Sequence, residues 1–316
     1  MPRMNVKSLI VGKFGIILAL VVLCGIFGIM SPIFLSWGNV SNILIQSGTN
    51  AVIAAGMTFV VLAAGIDLSV GSIVALSSVL GAMVMMRTGS VFSGVVISLC
   101  FGLLCGAING VFVAILDFPP FIVTLSTMWL YRGSAYVITR GQAIVNLPEK
   151  NMGLALGRFL GLPYIVWLVI AVYGICYMVL SRITFGRKIY AVGDNAEAAR
   201  LSGVNVRGVR FSVFTISGFL AALGGVILMS RLNSGQPVAG QAFEMSAIAA
   251  AVIGGTSLTK GGIGSIGGTL IGALFISALL NGLVILNVSA FWQQVFMGIV
   301  VLCAIGLDKY RKLISR

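Results

Sequence analysis

An all-α bundle of membrane-crossing helices is the fold class this sequence predicts, on three observations. Its 316 residues are 59% hydrophobic and only 9% charged, with a mean hydropathy of +1.11, and a water-soluble globule of that composition would have a mostly apolar surface. Apolar runs near the roughly 20 residues that cross a bilayer as helix recur along nearly the whole chain. These runs lack the alternation of a barrel strand. The chain therefore reads as a single transmembrane domain, 1–316.

The first run, FGIILALVVLCGIFGIM, follows Arg3, Lys7 and Lys13 and stops at Ser31-Pro32. No small-residue cleavage site follows it, so an uncleaved first span is expected rather than a signal peptide. Further spans are expected at about 43–64, 70–86, 91–116, 119–138, 163–181, 211–230, 265–287 and 290–307. The apolar piece EMSAIAAAVIGG, 244–255, is shorter and precedes a glycine-rich break.

Orientation follows from the gathering of Lys and Arg in cytoplasmic loops. Of the 20 basic residues, 13 lie in the N-terminus, in 182–210 and in the tail Lys309, Tyr310, Arg311, Lys312, Arg316. Both termini and 182–210 are expected inside, which requires an even number of crossings. The piece 244–255 then counts as a crossing, giving about ten spans, although its length also suits a re-entrant half-helix. Trp37, Trp167 and Trp292 fall at the outer interface in this arrangement. Arg140, Lys150 and Arg158 count against it, because they sit in its longest outer loop.

Composition excludes several classes. The net charge of +13 is spread between apolar spans rather than clustered with aromatics, so no nucleic-acid surface is expected. Cys24, Cys100, Cys105, Cys176 and Cys303 lie within apolar runs without a CxxC pair and read as buried thiols. With no His and no acidic cluster, no metal site is expected. No GxxxxGK[ST] occurs, and GGTSLTKGGIGSIGG follows no soluble strand, so no cofactor or nucleotide is expected in this chain. A membrane enzyme would need a convergent nucleophile and base, which the sequence does not offer.

Within the spans, Gly102, Gly106 and Gly110 recur every four residues, as do Gly264, Gly268 and Gly272. This spacing bares one helix face for close packing, or for helix sliding during transport. GIDLSVG, Gly65 to Gly71, interrupts two apolar runs, and Asp67 or Ser69 is expected to cap the next helix. The alternative is a titrating Asp67 in an ion- or proton-coupled carrier, for which no matched intramembrane partner is adjacent. DFPPFIVTLSTMWLYRGSAYVITRG places Thr124, Ser126, Thr127 and Arg132 in an expected span after a helix-starting Pro pair. With Asn109 and Asn281 they are the candidates for a polar translocation pathway. A faint internal echo links GIDLSVGSIVALSSVLGA with GTSLTKGGIGSIGGTLIGA, as duplicated transporter halves would.

The longest hydrophilic island, about 182–210, sets Arg182, Arg187, Lys188, Arg200, Arg207 and Arg210 against Asp194 and Glu197. Asp194 or Asn195 can cap a helix beginning at Ala196; Glu197, Ala198 and Ala199 favour it and Gly203 stops it.

GMTFVVLAAGIDLSVGSIVAL, AVGDNAEAARLSGVNV and EMSAIAAAVIGGTSLTKGGIGSIGGTLIGA together resemble the permease subunits of ribose-type bacterial ABC sugar importers, in the same order over nearly the whole chain. The resemblance implies the ABC importer permease fold in the inner membrane. It also implies a second permease subunit, a homodimer being expected over a heterodimer, and a periplasmic sugar-binding protein. A cytoplasmic ABC ATPase would bind ATP and Mg. It further implies that AEAARLSG is the coupling helix, so that Asp194, Asn195, Glu197, Ala198, Ala199, Arg200, Leu201, Ser202 and Gly203 form the ATPase contact. Ala198 and Ala199 are then expected to be small because they approach the ATPase, and Arg200 to meet an acidic rim.

Overall fold

A computed structural model describes residues 15–314, and the expectations for Arg3, Lys7, Lys13 and Arg316 lie outside them. Every apolar run forms a helix: α1 Gly15–Met30, α2 Trp37–Leu62, α3 Val70–Thr88, α4 Val91–Gly110 and α5 Pro120–Thr139. A short α6, Lys150–Leu156, and a hairpin of β1 Arg158–Phe159 with β2 Leu162–Pro163 precede α7, Tyr164–Arg182. The island folds as α8 Thr184–Asp194 and α9 Ala196–Leu201. The remaining helices are α10 Val206–Leu232, α11 Phe243–Ile253, α12 Ile266–Ile285 and α13 Ala290–Ile314.

The fold class is a helical polytopic bundle, as expected. By length and apolarity, α2, α3, α4 with its extension to Ile115, α7, α10 and α12 are able to cross a membrane. Gly15–Met30, Phe243–Ile253 and Ala290–Gly306 are apolar but shorter. The largely buried helices α2, α3 and α10 form the centre, with α4 and α7 outside them. Phe92, Phe101, Ile170 and Ile175 stand exposed on those two outer helices, as lipid-facing side chains would.

Two ends of the bundle can be told apart without reference to a membrane. Leu62 of α2, Gly193 of α8 and Gly262 of the loop after α11 meet at one end, where the Gly262 N–H donates to the Leu62 carbonyl at 2.9 Å. Ile16, at the start of α1, shares a cavity there with Leu180, Gly254 and Ser265. Asp308 of α13 accepts from Ser257 and Thr259 at the same end, at 3.0 Å each. Trp37, Trp167 and Trp292 instead mark the starts of α2, α7 and α13, the opposite end. There α6 folds back on the end of α10: Asn151 Nδ2 donates to Asn233 Oδ1 at 3.2 Å and Ser230 Oγ accepts from the Ala155 N–H at 3.0 Å.

Between these ends runs a broken element. After α10 the chain follows an irregular leg, 233–242, with Gly235 against Ser78 and Ala82 of α3 and Gly240 against Gly71 and Val74, roughly two turns further down. The half-helix α11 completes the descent; its 11 residues span about 16 Å, half the roughly 30 Å hydrocarbon core. The piece 244–255 is thus neither a full span nor a simple re-entrant hairpin but the helical part of a composite strand of chain. Irregular backbone at this depth requires surrounding protein or a water-filled cavity.

The glycine faces serve close packing. A Cβ at Gly106 would sit 2.5 Å from the Phe214 carbonyl of α10, and one at Gly268 1.9 Å from that of Gly254. The second series is shorter than expected: α12 begins at Ile266, capped by Ser265, which leaves Gly264 in the loop at φ +149°. Gly106→Leu and Gly268→Leu should each destabilise by about 1–3 kcal/mol, seen as a lowered thermal midpoint in detergent. An unchanged midpoint in both would remove these contacts from the account.

Candidate functional site

The polar residues expected to form a pathway do not gather at one place. The Asp67 loop holds two of them, Asn109 and Thr124. Asp67 Oδ1 accepts from the Ser69 backbone N–H at 3.0 Å and from Ser69 Oγ at 2.6 Å, and Oδ2 accepts from Ser217 Oγ of α10 at 2.8 Å. Asn109 Nδ2 donates to Ser69 Oγ at 2.8 Å, and Asn109 Oδ1 accepts from the Tyr131 hydroxyl at 3.4 Å. Thr124 Oγ1 donates to the Ile66 carbonyl at 3.1 Å as well as back to Pro120 at 2.9 Å. Asp67, Ser69, Asn109 and Thr124 are fully enclosed.

This corrects the capping expectation: Ser69 occupies the N-cap position of α3 without a side-chain cap bond, and Asp67 accepts from the Ser69 N–H and the Ser69 and Ser217 hydroxyls rather than from the first turn of α3. The network ties the loop to α4, α5 and α10. It forms where α4 passes into the π-helical turn Val111–Ile115, a local widening that recurs near functional sites.

Arg132 answers the charge problem in a way the sequence did not disclose. Its guanidinium donates to the carbonyls of Pro237 at 2.7 Å and Ala239 at 2.5 Å in the irregular leg, and to Gly71 of α3 at 3.1 Å. Two carbonyls of the irregular leg and one from the first turn of α3 thus meet the charge, and the charge ties the leg to α3. Thr127 is buried and bonds back to Thr124 at 3.4 Å, whereas Ser126 lies on the exposed side of α5. Asn281 stands apart, accepting from Asn39 Nδ2 at 2.9 Å between α12 and α2.

The island matches the local reading closely. Asn195 Oδ1 accepts from the Ala198 N–H at 3.0 Å as the cap of α9, and Gly203 at φ +81° ends it. Asp194 does not cap; it closes α8 and pairs with Lys260 at 3.1 Å. Arg200 is paired with Glu197 at 2.6 Å, both side chains about two-thirds exposed. This contact holds the Glu197 carboxyl below its usual range and the Arg200 guanidinium above its own.

One expectation fails by geometry. Ala199 is buried within this chain, so its small size serves the packing of α9 on its own bundle rather than contact with a partner. The outward surface consists of Glu197, Ala198, Arg200, Leu201, Ser202 and Gly203, with Leu201 78% exposed. Behind it the island is riveted to the broken elements, since the Tyr190 hydroxyl donates to the Gly264 carbonyl at 3.1 Å and Gly193 lies flat on Leu62.

Sequence reasoning missed a second polar site. Thr49 and Asn50 of α2 are buried, and neither the Thr49 hydroxyl nor either amide atom of Asn50 has a hydrogen-bond partner. They line a cavity of about 160 Å³ together with Gln46, Arg231, Ser246 and Ser277. The signal was available: Gln46, Thr49 and Asn50 fall within about one helical turn of an otherwise apolar span.

A bundle of apolar helices with a broken, irregular leg held by an intramembrane arginine, and a small capped helix at one end, defines a membrane permease component. Residues 39–305 match the family described as branched-chain amino acid transport system / permease component, and the chain belongs to this permease family. It is 42% identical to the ribose import permease protein RbsC of Haemophilus influenzae, covering 98% of both chains. It is 44% identical to the ribose import permease protein RbsC of Bacillus subtilis, over 94% of this chain and 92% of that one. The L-arabinose transport system permease protein AraH of Escherichia coli is 37% identical over 96% of this chain and 92% of its own length. No solved structure gives a significant match.

Proposed function

We propose that this chain is the membrane-spanning permease subunit of an ATP-driven ABC importer that carries a monosaccharide, ribose or a similar pentose, from periplasm to cytoplasm. The solute class is taken from the printed names of relatives that match end to end. The mechanism is carried by one observation: α9 stands out from the bundle with Leu201 exposed, while α8, which leads directly into it, is fastened to α2 and to the loop after α11. A push on α9 would therefore reach the two breaks in the membrane helices, 63–69 and the segment 233–265, where the bundle is built to bend.

On this reading two copies of the chain share one path, a cytoplasmic ATPase binds ATP and Mg and docks on α9, and a periplasmic protein delivers the sugar. The chain itself holds no cofactor and performs no covalent chemistry. Asn109, Thr124, Thr127 and Arg132 act as the clamp of the bending region, about ten crossings are made, and the end carrying the island faces the cytoplasm together with both termini of the chain. Ser126 and Asn281 serve the faces on which they stand.

Uptake by right-side-out vesicles tests the energy source. With internal ATP retained, a protonophore should leave sugar uptake unchanged, and depletion of ATP should stop it. The opposite result would favour an ion-coupled carrier. Topology is read from a single Cys at exposed Arg207, a better position than Asn205, whose side chain caps α10. An impermeant thiol reagent should label Arg207→Cys only in inverted vesicles; labelling in intact cells would reverse the orientation.

A further inference from the structure

We infer that the cavity between α2, α10, α11 and α12 is where this chain holds the transported solute, a neutral polyhydroxyl molecule of monosaccharide size; the inference rests on the importer reading above. Asn50 stands midway along α2, near the centre of the bundle's depth. It is nine-tenths buried and lines a space of about 160 Å³, and neither its donor nor its acceptor has a hydrogen-bond partner. Thr49 brings a second unpartnered group, its hydroxyl. Ser277 from α12, Ser246 from α11 and Gln46 complete a ring of neutral donors and acceptors.

Buried polar groups are ordinarily satisfied, and an exception requires an explanation. Sugar hydroxyls supply one, since each both donates and accepts and so suits an amide and several hydroxyls at once. Arg231, at the end of α10, forms no ion pair among the described residues and adds a fork of donors at the rim. The wall at Phe243 and Ile276 is apolar, as the face of a sugar ring requires. The position also suits transport: α11 begins at this cavity, so bending of the broken element would change its shape.

The test uses the complete importer in liposomes, with its ATPase and binding protein, and D-ribose as probe. Asn50→Leu should lower ribose uptake at least about tenfold, while the thermal midpoint of the purified permease stays level or rises, because a similar-sized apolar group replaces an unsatisfied amide. A midpoint that falls together with uptake would make Asn50 structural and overturn the inference, as would uptake within about twofold of wild type. A second measurement uses Ser277→Cys in a variant without the native cysteines. A small water-soluble thiol reagent should label it, and saturating D-ribose should slow that labelling severalfold. Labelling indifferent to ribose, or ribonate protecting better than ribose, would overturn the polyhydroxyl assignment. If the wild-type importer moves no ribose, the importer reading itself fails; if wild type moves it and Asn50→Leu does so equally, only this inference fails.

Discussion

Gly193→Val should reduce ATP-driven uptake to near background while the chain still inserts and still binds its ATPase. A Cβ at Gly193 would lie 1.7 Å from the Leu62 carbonyl and 2.6 Å from the Gly262 N–H. Those two groups are themselves joined at 2.9 Å. Both groups are backbone, so no side chain can rotate away and α8 must lift from α2. Overpacking of this kind destabilises by about 1–3 kcal/mol, too little to unfold a bundle whose centre lies elsewhere. It is enough to disconnect the island from the Asp67 loop that follows Leu62 and from the loop that follows α11. The exposed surface of α9 is left untouched, so co-purification of the ATPase should persist. The Asp194–Lys260 pair spans the same junction, but both side chains are more than half exposed, and surface pairs contribute little. Lys260→Ala should accordingly be nearly silent. Normal uptake by Gly193→Val would show that force does not pass through this contact.

What could be read from the sequence was whatever depends on neighbours along the chain. Apolar runs must become helices in lipid, because backbone groups there have no water to bond. Asn195 and Gly203 mark the ends of α9 correctly because capping is a matter of a few consecutive residues. The internal echo corresponds to two helix–break–helix elements, 63–69 before α3 and 254–265 before α12.

Contacts between distant residues were not legible. Asn39 and Asn281 lie 242 positions apart, and nothing local to Arg132 shows that its acceptors come from residues 71, 237 and 239. The inward turn of Ala199 was hidden for the same reason: composition places it in a hydrophilic island, while packing against α8 and α10 decides which side of a six-residue helix is buried. Asp67 was expected at a helix cap because capping is read from neighbouring residues, but Ser69 and, from 150 positions away, Ser217 bond it inside.

That inward turn moves the decisive test of docking from Ala199 to Leu201. Ala199→Trp would force an indole into the chain's own core, and a loss of ATPase binding would then report misfolding as readily as a lost contact. Leu201 is 78% exposed at the tip of α9, beside Ser202 and the left-handed Gly203. Burying a leucine side chain at an interface is worth about 1.5–3 kcal/mol, and placing a carboxylate there instead adds a desolvation penalty. Leu201→Asp should therefore weaken ATPase association by about tenfold to a hundredfold or more. The thermal midpoint of the isolated permease should not change, because the side chain stabilises nothing within the chain. Arg200→Ala should do much less, since Arg200 is engaged with Glu197 on the same exposed turn. The measurement is recovery of the ATPase with each purified permease, alongside sugar uptake and sugar-stimulated ATP hydrolysis in liposomes, which should fall together for Leu201→Asp. Full ATPase recovery with full uptake would mean that α9 is not the docking element, and the transmission route through Gly193 would lose its starting point.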